Sequence, residues 1–426
     1  MPTINPVKGT HDIIADEADV YSYIESVFAK EAESFGYRHI VTPVLEHTEV
    51  FDRATGEGSD VVRKEMYTFL DKAERSVTLR PEGTAGVMRS IMTNKLYATP
   101  DMPLKYYYSG TTYRYERPQL GRYREFRQIG VECVGEDSVY LDAETVALAA
   151  HTLQKLGFKD LRLKINTLGD KASRENYKEA LRAFFATRID QMCPDCHERL
   201  RLNPLRILDC KVPEDHALVA DAPKMKDYLS PESLERYQKT LDLLRLLDIP
   251  FEEDDTLVRG LDYYGEIVFE VHCISPEGND YGAICGGGHY EGILTNFGGP
   301  KEIDVGVGFA MGVERVYALM KEFGLIGGLA STLDIYLMPL GEEAIRPAYE
   351  LGDTLRGLGY SALVPYKPGK LGAYFKKAER KGARYAIIFG ETELQNGFVQ
   401  VKDLTKQQQE EVNLKELPDY LAAHLR

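Results

Sequence analysis

Two stretches of strand-forming residues, LKYYYSGTTYRYER (104–117) and YREFRQIGVECV (123–134), flank the turn sequence PQLGR. This pair constrains the fold more than any other feature, because a short turn between two β-prone runs dictates a hairpin with a long tip. Side chains alternate faces along a strand, so Arg124, Phe126, Gln128, Gly130 and Glu132 share one face of the second strand. Gly110, Thr112, Arg114 and Glu116 share one parity of the first. If the two faces coincide, they offer arginine forks, an aromatic plane, an amide, a carboxylate and a bare backbone position, a set that suits a phosphate, a flat base and an amine together. The ordinary alternative is a solvated hairpin with exposed ion pairs; mid-strand glycine and charge at inward parity weigh against it.

Residues 114–132 hold five arginines and three glutamates but no lysine, inside a 426-residue chain of net charge −15. An acidic total argues against indiscriminate polyanion binding and leaves a local basic patch open. The length implies two or three domains, and 43% hydrophobic residues supply their cores. The N-terminus has no apolar run of signal-peptide type, and no run of about 18 apolar residues occurs, so neither export nor membrane insertion is expected. Six cysteines in so long a chain do not make a disulfide scaffold. The expected location is the cytoplasm.

Along the chain, apolar residues at helical spacing from Ala18 to Phe35 predict a helix closed by Gly36, followed by a strand in YRHIVTP. After LRLKINTLGD, a polar helical segment over 171–247 reads as an insertion in a domain spanning 1–325. Strand signals return in GEIVFEVHCI and VGVGFAM. A glycine-rich joint supplies a linker at 326–332, and from 333 to 426 DIYLMPL, a helix near 344–358, YSALVPY, the basic helix KLGAYFKKAERKGA and RYAIIFG alternate β, α, β, α, β. That alternation predicts a small parallel-sheet α/β domain.

Four further clusters carry chemistry-bearing residues: TLRPEGTAGVMRS with Glu82 and Thr84; LVRGLDYY with Arg259, Asp262, Tyr263 and Tyr264; CGGGHYEGI with Tyr290; and GVGFAMGVER with Arg315. The glycines at 306, 308 and 312 do not follow the spacing of a dinucleotide-binding loop. Singly, each cluster has a plain reading as a tight turn, a core aromatic or a surface charge. In this order they resemble the class II aminoacyl-tRNA synthetases, and within them the histidyl-tRNA synthetase family. The first helix and strand resemble that class's dimer-forming motif, RYERPQLGRYREFRQ its second motif and GVGFAMGVER its third. LVRGLDYY and GGGHYEG resemble the two histidine signatures, and KGTHDI the family's N-terminal segment. His289 and Glu291 depart from the family pattern, which has arginine and aspartate at those positions in many members.

The resemblance implies an α+β fold: a class II antiparallel-sheet catalytic domain with a helical insertion, and a small C-terminal α/β anticodon-binding domain. It implies ATP as a substrate with Mg²⁺ on its phosphates, L-histidine, a cognate histidine tRNA, and a homodimer. By the same resemblance Arg114 holds the α-phosphate, Phe126 stacks on adenine, Arg315 covers the opposite face, Glu116 and Arg122 lie at the nucleotide, and Arg259 sits at the reacting centre. Histidine falls to Glu82, Thr84 and Gln128 at its amino end, with Glu132, Tyr263, Tyr264 and Tyr290 around the imidazole. Arg117, Gln119 and Arg122 in the hairpin tip are candidates for the tRNA end.

Cys193, Cys196 and Cys210, near His197 and His216, form a zinc half-site without a second C-x-x-C, so a structural Zn²⁺ and three reduced cysteines both stand. In the C-terminal part Lys367, Lys370, Lys376, Lys377, Arg380, Lys381 and Arg384 interleave with Tyr366, Tyr374 and Phe375. Such cations meet phosphates and such rings stack on unpaired bases. A histidine-sensing regulatory subunit of ATP phosphoribosyltransferase resembles the same catalytic domain. It typically lacks the C-terminal domain and the arginine motifs, both of which this chain has.

Overall fold

The computed structural model describes residues 3–55, 59, 61–117, 121–275, 278–329 and 333–425. The chain forms two compact units, Met1–Leu329 and Ala330–Arg426. In the first, eight strands lie side by side in the order Arg38–His39, Leu104–Tyr113, Glu125–Val134, Val305–Gly312, Asp280–Glu291, Tyr264–Ile274, Leu161–Thr167, Phe251–Glu253. All neighbours are antiparallel except the outermost strand at each edge, which pairs parallel. The hairpin register sets Gly110 opposite Gln128 and Thr112 opposite Phe126, so the two parities do face the same side.

Odd residues of the second hairpin strand, Ile129, Val131 and Cys133, enter a core with the helices Asp16–Ser34, Val139–Lys155 and Val313–Glu322. The opposite face of the sheet, with Tyr108, Tyr264 and Tyr290, packs on the helices Thr84–Thr93 and Lys171–Ala186. The segment 171–247 contributes to both cores: Tyr177, Leu181 and Phe185 pack on the second face, whereas Tyr237, Leu241 and Leu244 of its last helix enter the first. The strand expected over YRHIVTP shrinks to two residues. Conversely, Asp280–Glu291 is a twelve-residue central strand that its glycine-rich sequence does not announce, since isolated glycine disfavours strands.

The second unit is a five-stranded sheet in the order Ala362–Leu363, Ile335–Pro339, Tyr385–Phe389, Phe398–Asp403, Gln408–Asn413. Its first three strands are parallel and its last two antiparallel, so the expected all-parallel sheet is mixed. The cause is local: the links 390–397 and 404–407 that join the last three strands are both too short for a crossover, so both returns are antiparallel. Among the described residues no helix is long and apolar enough to cross a membrane.

Candidate active site

A cavity of about 290 Å³ opens on the second face of the large sheet. Glu82, Thr84, Arg114, Glu116, Arg122, Phe126, Gln128, Glu132, Arg259, Tyr263, Tyr264, Tyr290 and Arg315 all line it, drawn from five separated sequence clusters. Arg117 is exposed and does not line the cavity. Gln119 lies outside the described residues.

One end of the cavity is closed and hydrogen-bonded. Glu132 is 2% exposed and its carboxyl accepts from Tyr290 Oη at 2.7 Å, Thr84 Oγ1 at 2.7 Å and Tyr108 Oη at 3.4 Å. Loss of hydration nevertheless pushes its pKa up to about 8, because burial outweighs these donors. Glu82 sits beside it, its two oxygens accepting the backbone N–H groups of Thr84 and Ala85, each at 2.7 Å. Those bonds satisfy the first turn of the helix Thr84–Thr93, and burial again raises the carboxyl's pKa. Gln128 Oε1 accepts from Gly83 N at 3.0 Å, which orients its amide NH₂ as the remaining donor. The rings of Tyr263, Tyr264 and Tyr290 pack along the wall, Tyr263 tilted against Tyr264 with centroids 4.7 Å apart and edge-on to Tyr290 at 5.6 Å.

The other end gathers cations. Arg114 is oriented by a 2.8 Å bond from Nε to the Pro81 carbonyl, and its guanidinium carbon lies 5.5 Å from the Phe126 ring centroid. Arg315 donates to the Tyr281 carbonyl, and both burial and neighbouring Arg122 depress its pKa. Arg259 forms an ion pair with Glu270, while its Nε is buried with no hydrogen-bond partner among the described residues. A buried guanidinium N–H left without a partner is costly and marks a place where a ligand oxygen belongs. Glu314, next to Arg315, accepts the backbone N–H of Arg127 at 2.9 Å on both oxygens and so ties the GVGFAMGVER segment to the hairpin.

The glycine-rich strands explain how side chains from so many segments fit. A Cβ at Gly286 would run into the Arg259 guanidinium, and one at Gly308 into the Glu132 carboxylate. Glycine serves here for close approach rather than for turns. Sequence reasoning missed Tyr108 and Glu270, both on the cavity wall. Tyr108 has the parity of Gly110, and Glu270 is a carboxylate within the apolar run IVFEV; those were the available signals. His289 faces away from the cavity, held by Asp142 at 3.0 Å, and exposed Glu291 pairs with Arg174 at 2.7 Å. The two departures from the family pattern therefore lie outside the cavity lining.

In the second unit, Tyr366, Lys367, Tyr374, Lys377, Arg380 and Lys381 line a groove of about 780 Å³. Tyr366 is 82% exposed, but Tyr374 is 1% exposed and packs against Tyr336 in the core, so only the first is free to stack on a base.

The comparisons agree with this geometry. A family model described as "Histidyl-tRNA synthetase" matches residues 9–316, which include every cavity residue named above. The chain belongs to the histidyl-tRNA synthetase family. A model described as "Anticodon binding domain" matches residues 334–424. The chain is 44% identical over 421 residues to a histidine–tRNA ligase of Bacillus cytotoxicus, covering 98% of each. It is 45% identical over 419 residues to histidine–tRNA ligase 1 of Shouchella clausii, again covering 98% of each. The crystal structure of apo histidyl-tRNA synthetase from S. aureus superposes with a TM-score of 0.82 at 37% identity, covering 98% of this chain and 99% of the other. The fold is the class II synthetase fold of that family, with its C-terminal anticodon-binding domain.

Proposed function

We infer that the chain is a histidine–tRNA ligase that activates L-histidine with ATP and transfers it to the 3′ end of histidine tRNA. The observation that carries this reading is one cavity with two unlike ends: a buried carboxyl ringed by hydroxyl donors, and a cluster of arginines with an N–H that lacks a partner among the described residues. Imidazole has two polar nitrogens, and a pocket built to bond both rejects apolar amino acids by leaving its own buried groups unpaired. Glu132 accepts from the imidazole, with Tyr263, Tyr264 and Tyr290 enclosing it. Glu82, Thr84 and Gln128 receive the α-amino group.

The histidine carboxylate then faces the arginines. One of its oxygens attacks the α-phosphorus of ATP, the bond from that phosphorus to the bridging oxygen breaks, and pyrophosphate leaves with the electron pair, giving histidyl-adenylate. A carboxylate nucleophile needs no general base. Arg259 and Arg114 bond the α-phosphate oxygens as charge builds, Phe126 stacks on adenine, and Arg315 with Arg122 holds the departing phosphates. Glu116 lies at the nucleotide's edge. A ribose hydroxyl at the tRNA 3′ end, guided by the hairpin tip with Arg117 and Gln119, next attacks the histidyl carbonyl and AMP leaves.

Mg²⁺ carried on the triphosphate shields its negative charge. Glu270, a cavity carboxylate beside Arg259, is the residue suited to touch it. The exposed Tyr366 and the lysines of the second unit serve the anticodon loop. A homodimer in the cytoplasm completes the reading: Val41, Val44, Leu45, Phe69 and Leu70 expose apolar surface in and just after the segment that resembles the dimer motif and in a three-stranded sheet of Leu45–His47, Ser76–Leu79 and Tyr67–Leu70. The test is ATP–pyrophosphate exchange with each of the twenty amino acids, for wild type and Arg259→Ala. Exchange with histidine alone, lost in the variant, is expected. Histidine binding without exchange would instead identify a sensor.

A further inference from the structure

We propose that Cys193, Cys196, Cys210 and Asp215 hold a structural zinc ion that braces the loop carrying Arg259. The three sulfurs and a carboxylate oxygen all lie within 4.8 Å of one another, although they come from three separate places in the chain. Cys193 precedes the helix Pro194–Leu202 and Cys196 lies in its first turn; Cys210 follows the short turn Pro204–Ile207; Asp215 belongs to the helix Pro213–Val219. A tetrahedron with zinc–sulfur bonds of about 2.3 Å has sulfur–sulfur edges of about 3.8 Å. Cys193 and Cys210 stand 3.7 Å apart, at that edge and well beyond a disulfide bond.

Asp215 distinguishes this cluster from three ordinary core thiols. Its carboxylate is 1% exposed and, among the described residues, bonds only to the Cys193 backbone N–H, at 3.2 Å, and to the thiols, with Cys210 Sγ at 3.1 Å. No cationic side chain pairs with it among the described residues. A buried carboxylate without a cation is expensive, and a divalent ion bound by it and three thiolates removes that expense. The histidines noted in the sequence do not join the cluster: His216 Nε2 is engaged with the Cys210 carbonyl at 2.8 Å, and His197 lies outside it.

The consequence reaches the active site. Between Cys196 and Cys210 the chain presents Asn203, which donates to Asp262 at 2.8 Å, and Arg206, which donates to the Gly260 carbonyl at 2.9 Å. These bonds grip the loop LVRGLDYY on both sides of Leu261, next to Arg259 and Tyr263. Fixing the two ends of this irregular stretch to one ion fixes the platform under the arginine, a positioning role that rests on the ligase reading, whereas the zinc site itself does not.

The test measures zinc in the full chain purified without chelator, by elemental analysis and by thiol-reagent release into a chromogenic indicator. Cobalt substitution then follows the thiolate-to-cobalt charge-transfer band. One zinc per chain, a cobalt spectrum typical of thiolate ligation, and loss of both in Cys196→Ser are expected. Because that variant is also able to misfold, Asp215→Asn is examined alongside; it keeps the thiolate bands and weakens cobalt binding by roughly 10–100-fold. Removing zinc lowers kcat of histidine-dependent exchange at least severalfold, and adding zinc restores it. Absence of stoichiometric zinc and cobalt binding, with three freely alkylated cysteines or a Cys193–Cys210 disulfide by mass spectrometry, would overturn the site. An unchanged exchange rate in zinc-free protein would overturn the bracing role alone, and exchange with no amino acid would sink the ligase reading while leaving the metal result standing.

Discussion

The two ends of the cavity solve opposite electrostatic problems. At the closed end, proposed above to take histidine, Glu132 is stripped of water and its charge is disfavoured. At the other end, Arg114, Arg122, Arg259 and Arg315 line the wall, Arg114 oriented by the Pro81 carbonyl, Arg259 by Glu270 and Arg315 by the Tyr281 carbonyl. On the proposed reading, specificity comes from a group whose empty state is disfavoured by desolvation, and rate from groups that are already charged and already placed.

The largest expected effect tests the second half of that statement. Arg259→Ala lowers kcat of exchange about a thousandfold, while histidine affinity measured by calorimetry changes little; Arg259→Lys recovers little of it because the bidentate fork is lost. Comparable losses in kcat and histidine binding would mean that the two ends are not separable.

Glu132→Gln comes next, with a fall in kcat/KM for histidine of roughly a hundredfold, about 3 kcal/mol, since a neutral amide both accepts less well and presents a donor. This group also sets a pH dependence. Its folded pKa of about 8 lies above the ordinary 4.5, so its stabilising contribution is complete below about 4.5 and is lost as pH rises toward 8. The melting temperature of empty wild-type protein therefore falls across that window relative to Glu132→Gln. Histidine binding as an N–H donor needs the carboxylate, so affinity in wild type rises between about pH 6.5 and 8, by up to tenfold per unit, and levels off above. Parallel pH profiles for both proteins would place the titrating group elsewhere.

A smaller effect probes the packing that joins the ends. Gly308→Ala pushes a methyl into Glu132 and the Val131 carbonyl and destabilises by about 1–3 kcal/mol in chemical denaturation, with KM for histidine rising more than KM for ATP. Smallest of all, Lys377→Ala in the groove of the second unit costs about 1 kcal/mol in kcat/KM for tRNA, lowers the salt dependence of tRNA binding, and leaves amino-acid-dependent exchange unchanged.

The hairpin was legible because a strand's alternation is local: the parity that groups Phe126, Gln128 and Glu132 needs no knowledge of the rest of the chain. The motif resemblance carried the other cavity residues for the same reason, since each short cluster keeps its own spacing. The central strand Asp280–Glu291 was not legible, because three consecutive glycines read as a turn until one sees that Gly286 must clear Arg259. The final hairpin of the second unit, Phe398–Asp403 with Gln408–Asn413, likewise escaped and turned a parallel sheet into a mixed one. Tyr374, taken for a base-stacking ring, proved to be core because the helix Leu371–Arg380 presents that side to Tyr336.

By itself the sequence determined which short segments carry charge, aromatic rings and glycine at fixed spacing, and hence the family. Only the tertiary structure decided that Thr84, Tyr108 and Tyr290 converge on Glu132, that Arg259 pairs with Glu270, and that Asp215 rather than a histidine joins the three cysteines. The physical reason is range: backbone periodicity is set by neighbours in the chain, whereas desolvation and hydrogen-bond partnership are set by groups that meet only after the sheet has closed.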